Sequence, residues 1–363
     1  MKKTVVIFIS IILVFLNISS FSAFAEEYEN PFAEISDELD SLLDDYDLGF
    51  GIDDISELSF SELAEQVKNS LVSRLDAPIR ILCAVFMVIV FSTLMKSTGN
   101  TGMPKNSADI YNMVCVMTAV TVIVPQLLTV YGETLTAIQV GGSFILVFVP
   151  IFTAVSVACG GFTSAGVYHM MMLGASEFIV RLSESYLLPV LSVTAALAVT
   201  GSIFPNTSLD SIVNLLKKAV TWGISITMTL FTGFVSLKCT ITGKTDGVTV
   251  KTAKMLVSGF IPIVGGAVSD AYSTVKGSFE VIGSTMGTAG IIAIALIMLP
   301  KIIEIFVYRA VMWIGSAVAD IFSADSISKL LKGIDSGLAI AQSILVCYGV
   351  IFVICSAILM KTF

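Results

Sequence analysis

An all-α, polytopic transmembrane helical bundle is the fold class this sequence predicts, and three observations predict it. Only 13% of the residues are charged and 55% are hydrophobic, whereas a soluble domain carries about 25% charged residues. The mean hydropathy is +0.93. The apolar residues also fall in runs of roughly 18–24, long enough to cross a bilayer core of about 30 Å as helix. A chain with so little charge cannot clothe a water-soluble globule, so the expected architecture is about 8–10 spans, some broken or re-entrant, behind an N-terminal signal peptide and an acidic exported arm.

The elements follow in order. Residues 1–25 read as a secretory signal peptide. Lys2 and Lys3 form its positive end, Val5–Leu16 its apolar stretch, and Ala23-Phe24-Ala25 its small-x-small cleavage pattern. An uncleaved first anchor is the rival reading. Both readings place residues 26–77 outside the cytoplasm, because the two lysines stay inside.

Residues 26–77 form the acidic extracytoplasmic arm. Sixteen Asp/Glu and two Lys/Arg give it a charge of −14, and the whole chain is −8. The acidity of the protein is therefore a property of one segment, and an acidic segment of this kind excludes nucleic acid as a partner. Phe32, Ile35, Leu39, Leu42 and Leu43 recur at helical spacing. Ser59 and Glu62 can form a capping box for a second helix. A partner-binding helical arm and a solvated acidic linker both fit this pattern.

The membrane domain covers residues 78–363. Its plain apolar spans are 79–95, 110–130, 136–158, 186–204, 219–237, 284–300, 302–322 and 339–360. Two stretches are less regular. Residues 165–182 hold His169, Glu177 and Arg181, and residues 255–275 hold glycines, a proline and Asp270. Each could cross, or dip in and return where protein or a watery cavity covers its backbone. If 165–182 is re-entrant, the Lys238–Lys254 loop, with four lysines and one aspartate, falls on the cytoplasmic side that basic loops prefer.

The chemistry-bearing motifs are mostly missing. His169 is the only histidine, so no two-histidine metal site can form. There is no phosphate-cradling G-x-x-x-x-G-K-[ST] loop and no G-x-S-x-G elbow. The six cysteines include no CxxC pair. These absences point to a protein that is not an enzyme and needs neither cofactor nor metal.

Charges within spans are costly and therefore mark candidate sites. Glu177, Arg181 and Glu184 are the clearest set, spaced to share a helix side. They read as a polar path, as a helix clamp, or as span-end charges reaching the headgroups. Lys301, Glu304 and Arg309 lie between two apolar runs and read as a short polar turn.

The most distinctive stretch runs from Gly259 to Tyr272. Pro262 removes a backbone donor, Gly265 and Gly266 permit a turn or close approach, and Asp270 sits in apolar surroundings. Broken helices of this kind line substrate paths in transporters, and they also pack tightly through small residues. Phe148-Val149-Pro150-Ile151-Phe152 echoes Phe260-Ile261-Pro262-Ile263-Val264, which suggests a pseudo-repeat with two proline-broken helices.

The stretch GFIPIVGGAVSDAY (Gly259–Tyr272), continued through Thr274–Ser278, resembles the stage III sporulation protein AE family, as do Phe148–Ile151 and the Gly160–Gly166 region. The resemblance covers essentially the whole chain. It implies the large polytopic membrane component of a sporulation-specific channel or secretion-like complex between mother cell and forespore. The partners it implies include an ATPase, small membrane proteins and exported ring-forming proteins, and the location is the mother-cell membrane. It brings no catalytic residues. A self-sufficient secondary transporter is the other function that broken helices and buried charges could serve.

Overall fold

The computed structural model describes residues 76–99, 105–204, 209–260 and 265–361. The signal peptide, the arm helices with the Ser59–Glu62 box, and Pro262 lie outside the described residues. The described chain contains helix and no strand. We number its elements α1 (Asp76–Gly99), α2 (Lys105–Ala158), α3 (Phe162–Leu182), α4 (Leu188–Ile203), α5 (Leu209–Phe260), α6 (Gly265–Ile321) and α7 (Asp325–Met360).

Among the described residues, six helical stretches are long and apolar enough to cross a membrane. The all-helical, multi-pass expectation therefore stands, with fewer and longer rods than the sequence suggested. The runs 110–130 and 136–158 are one helix, α2, because Tyr131–Leu135 between them contains no element that breaks a helix except Gly132. The runs 284–300 and 302–322 are likewise one helix, α6, which carries Pro300 inside it. At 57 residues, α6 is about 85 Å long at 1.5 Å per residue, well beyond a bilayer core of about 30 Å.

Residues 165–182 do not turn back. They continue through one π-helical turn, Ser183–Leu187, into α4. The wide turn sits just ahead of Pro189, whose ring cannot donate to the carbonyl one turn earlier. The expected Lys238–Lys254 loop is also helical, as the second half of α5. Nor does Pro150 break its helix: α2 runs through it to Ala158. The echo of the Gly259–Tyr272 stretch is thus an unbroken helix, and the chain reverses ten residues later at Gly160, whose φ of 92° suits glycine.

The helices pack around α7, which touches α2, α3, α4, α5 and α6. Side-chain pairs fix the directions. Phe148 lies against Gly290 and Phe152 against Gly287, so α6 runs antiparallel to α2. Phe352 meets Phe144 and Phe148 edge-on, at centroid distances of 6.0 and 5.7 Å. Phe144, Phe148 and Phe152 form a ladder up α2 that ends on Tyr168 of α3. These rings are the buried content of the Phe148–Phe152 stretch, while Pro150 between them is exposed.

Small residues let the rods approach. A Cβ on Gly290 would overlap the Phe148 ring, and one on Gly141 would overlap Met298. A Cβ on Gly333 would overlap that of Ala198 and stand 3.1 Å from its Cα. Within lipid, where water supplies no force between helices, such close contact is a main source of association. Two hydroxyl pairs add direction: Ser176 with Tyr348 at 2.6 Å and Tyr168 with Ser356 at 3.0 Å.

Candidate functional site

The candidate site is a set of charged side chains shared by α2, α5, α6 and α7. Lys301 of α6 is 5% exposed and pairs with Glu133 of α2 and, at 3.2 Å, with Glu304 one turn on. Two turns further, Arg309 donates from Nε to Asp335 Oδ1 of α7 at 2.8 Å and from Nη1 to Gln342 Oε1 at 2.6 Å. Lys217 of α5 approaches Asp335 Oδ2 at 3.7 Å. Three carboxylates face three cations across four helices.

The sequence permits this because the few charges on these apolar rods find opposite charges on neighbouring helices, and Lys301 also finds Glu304 on its own. Taking an ion out of water costs several kcal/mol, and only a well-placed partner offsets it. Here the antiparallel α2 and α6 bring Glu133 level with Lys301, and the α6–α7 hairpin does the same for Arg309 and Asp335. Tyr131, fully buried beside this set, leaves its hydroxyl without a hydrogen-bond partner. It is wedged so closely on α7 that a Cβ at Gly337 would overlap it. The arrangement can clamp helices, and paired charges at this depth can also rearrange when a neighbour moves.

A second polar contact lies at the other end of the bundle. Asp246 of α5 accepts from the backbone N–H groups of Thr163 (3.0 Å) and Ser164 (2.8 Å), at the first turn of α3. Ser164 Oγ also lies 3.2 Å from Thr242 Oγ1. A carboxylate from one helix thus caps another, meeting donors that have no partner within their own helix.

Residues 49–362 match the family described as Stage III sporulation protein AE. The chain belongs to the stage III sporulation protein AE family. It is also 28% identical over 177 residues to the Stage III sporulation protein AE of Bacillus subtilis (strain 168). That alignment spans 48% of this chain and 44% of the relative, less than half of each. No solved structure matches the chain.

Within this family member the residues singled out from sequence fall in separate places. Glu177 and Arg181 pair on one side of α3 as their spacing predicts, with both side chains largely exposed. Glu184 lies in the π-turn and accepts from Gln139 Nε2 of α2 at 2.9 Å, tying that turn to α2. Gly259 is in the last turns of α5, and Gly265, Gly266 and Asp270 open α6. Lys301, Glu304 and Arg309 are no polar turn: they stay helical and turn their charges inward onto α2 and α7.

Sequence reasoning missed Glu133, Lys217, Asp335, Gln342 and Asp246. The signal available was their isolation. Glu133 is a lone acid interrupting the apolar run of α2, and Lys301 with Glu304 interrupts that of α6.

Proposed function

We propose that this chain is the polytopic membrane component of a sporulation-specific channel or secretion-like complex that links mother cell and forespore and is required for forespore development. The observation that carries the proposal is membership of the stage III sporulation protein AE family over residues 49–362, joined to six apolar helices of membrane-spanning length. Ion pairs that interlock α2, α5, α6 and α7 suit a platform that holds its shape while partners dock on it. In this reading the chain is not an enzyme. It sits in the mother-cell membrane around the forespore with residues 26–77 extracytoplasmic, and it assembles with an ATPase and exported ring-forming proteins.

A stand-alone secondary transporter finds less support, since the helix at Pro150 is continuous and one of the two broken helices expected of such a protein is gone. The test is co-purification of tagged protein from sporulating cells in mild detergent. Recovery of an ATPase and exported ring-forming proteins is the expected outcome. A partnerless protein that drives solute uptake alone in vesicles would replace this reading with the transporter.

A further inference from the structure

The flank where α2 packs on α3 exposes charge far from either end of its apolar rods. Glu177 and Arg181 of α3 pair with 51% and 77% of their side chains exposed. Arg181 stands 19 residues after Phe162 and 22 before Ile203, the ends of one stretch long and apolar enough to cross a membrane. About 29 Å of helix therefore lies on one side of it and about 33 Å on the other. Glu184 in the π-turn is also exposed, and its hydrogen-bond partner is the neutral amide of Gln139. On α2, Glu133 stands 20 residues into the Met113–Ala158 stretch and is 49% exposed in front of the buried Lys301. Counting Glu304 as well, four carboxylates here meet two cations.

Lipid does not account for this exposure. A carboxylate turned toward acyl chains is costly and calls for a partner, and anionic headgroups would be repelled by a flank of net negative charge. Beside the charges runs an apolar rail on the same helix: Phe178, Leu182 and Tyr186, four residues apart and all exposed. Charge and apolar surface side by side match a neighbouring helix, which can offer both, better than they match a water-filled passage. A second copy laid on the same flank would set acid against acid. A bound metal is a poor occupant too, because the described residues contain no group of three His, Cys, Asp or Glu that could hold one.

We propose that this α2–α3 flank, centred on Glu184, docks a transmembrane helix of a partner protein that carries a lysine or arginine in mid-span. The basic residue meets Glu184, with Glu133 as the next carboxylate along the flank, and the apolar side of the same helix lies on Phe178 and Leu182. The charge opposite Glu184 makes the choice of partner, since a neutral helix would leave that carboxylate uncompensated. The inference rests on the complex reading only in requiring a partner.

The test uses full-length protein in phosphatidylcholine vesicles, with synthetic membrane-spanning Leu/Ala helices as probes and energy transfer between labels as the readout. One probe carries Lys at its centre, one Leu at its centre, and one Lys at its end, where headgroups lie. The central-Lys probe should associate about tenfold more tightly than the central-Leu probe, the scale of a polar contact between helices in lipid. Glu184→Gln, which keeps an acceptor for Gln139, should remove most of that advantage. Glu184→Lys should transfer it to a probe with Glu at its centre. An unchanged melting temperature checks that each variant is folded, and the comparison of probes on the wild type decides the matter without them. Equal association of the central-Lys and central-Leu probes, or no effect of the charge changes, would overturn the proposal. So would an end-Lys probe that binds as well as the central-Lys one, which would place the flank at the headgroups. Failure here leaves the complex reading standing, because co-purification does not depend on this flank.

Discussion

Helices α7 and α5 are both long and apolar, yet they differ in what holds them. Along α7, from Ser326 to Leu359, residues on every side are buried, and its neighbours reach it through glycine contacts, aromatic edges and Arg309. Along α5 few side chains are buried, among them Val213, Val235, Thr242 and Asp246. It is held at two polar points: Lys217 on Asp335 near one end and Asp246 on α3 near the other. Apolar composition makes a helix compatible with a membrane; it does not decide whether that helix becomes the core or its periphery. Small residues and isolated charges, which α7 meets from several sides, make that decision.

The comparison can be broken most severely at the core. Replacing Arg309 by Met leaves Asp335 and Gln342 without their donor in a partly buried setting. Removing one partner of a buried pair costs about 3–5 kcal/mol, and an effect toward the lower end is expected here because Lys217 remains beside Asp335. A loss of folded protein in a detergent melting assay is the readout. Gly333→Leu should follow, since its side chain has no room against Ala198 of α4; overpacking costs about 1–3 kcal/mol, visible as a lower melting temperature.

At the periphery the effects should be smaller and local. Asp246→Ala removes a helix cap, a loss of about 1 kcal/mol. Hydrogen exchange should quicken at the start of α3 and along the second half of α5, while α7 keeps its protection. If α7 loosened equally, α5 would not be the separately held element described here. The smallest effect is expected at Arg181→Gln, an exposed pair on one helix; such pairs contribute little, and melting should be unchanged.

How much of this was legible in the sequence follows from the range of each interaction. Helix is dictated locally, so the all-α, membrane-spanning character could be read directly, as could the i, i+4 pairing of Glu177 with Arg181. Where helices end was harder. A polar interruption such as Glu133 or Lys301 looks like a turn when its partner is unknown, and only the fold reveals that the two interruptions neutralise each other. Pro150 misled for a related reason: one continuous helix absorbs its missing donor. The candidate clamp was invisible because its members come from four helices up to 202 residues apart in the chain, as with Glu133 and Asp335. The Gly259–Tyr272 stretch, by contrast, announced the family.

The central claim, that paired charges inside the bundle clamp α2, α6 and α7, is tested most directly at Lys301. Thermal melting in detergent should be compared for the wild type, Lys301→Met, and the double variant Lys301→Met/Glu304→Leu. The single variant should melt well below the wild type, because Glu133 and Glu304 lose the cation that lies between them. The double variant should recover much of the loss, since apolar residues of similar volume often replace a buried ion pair without penalty. A Lys301→Met protein that melts like the wild type would contradict the clamp.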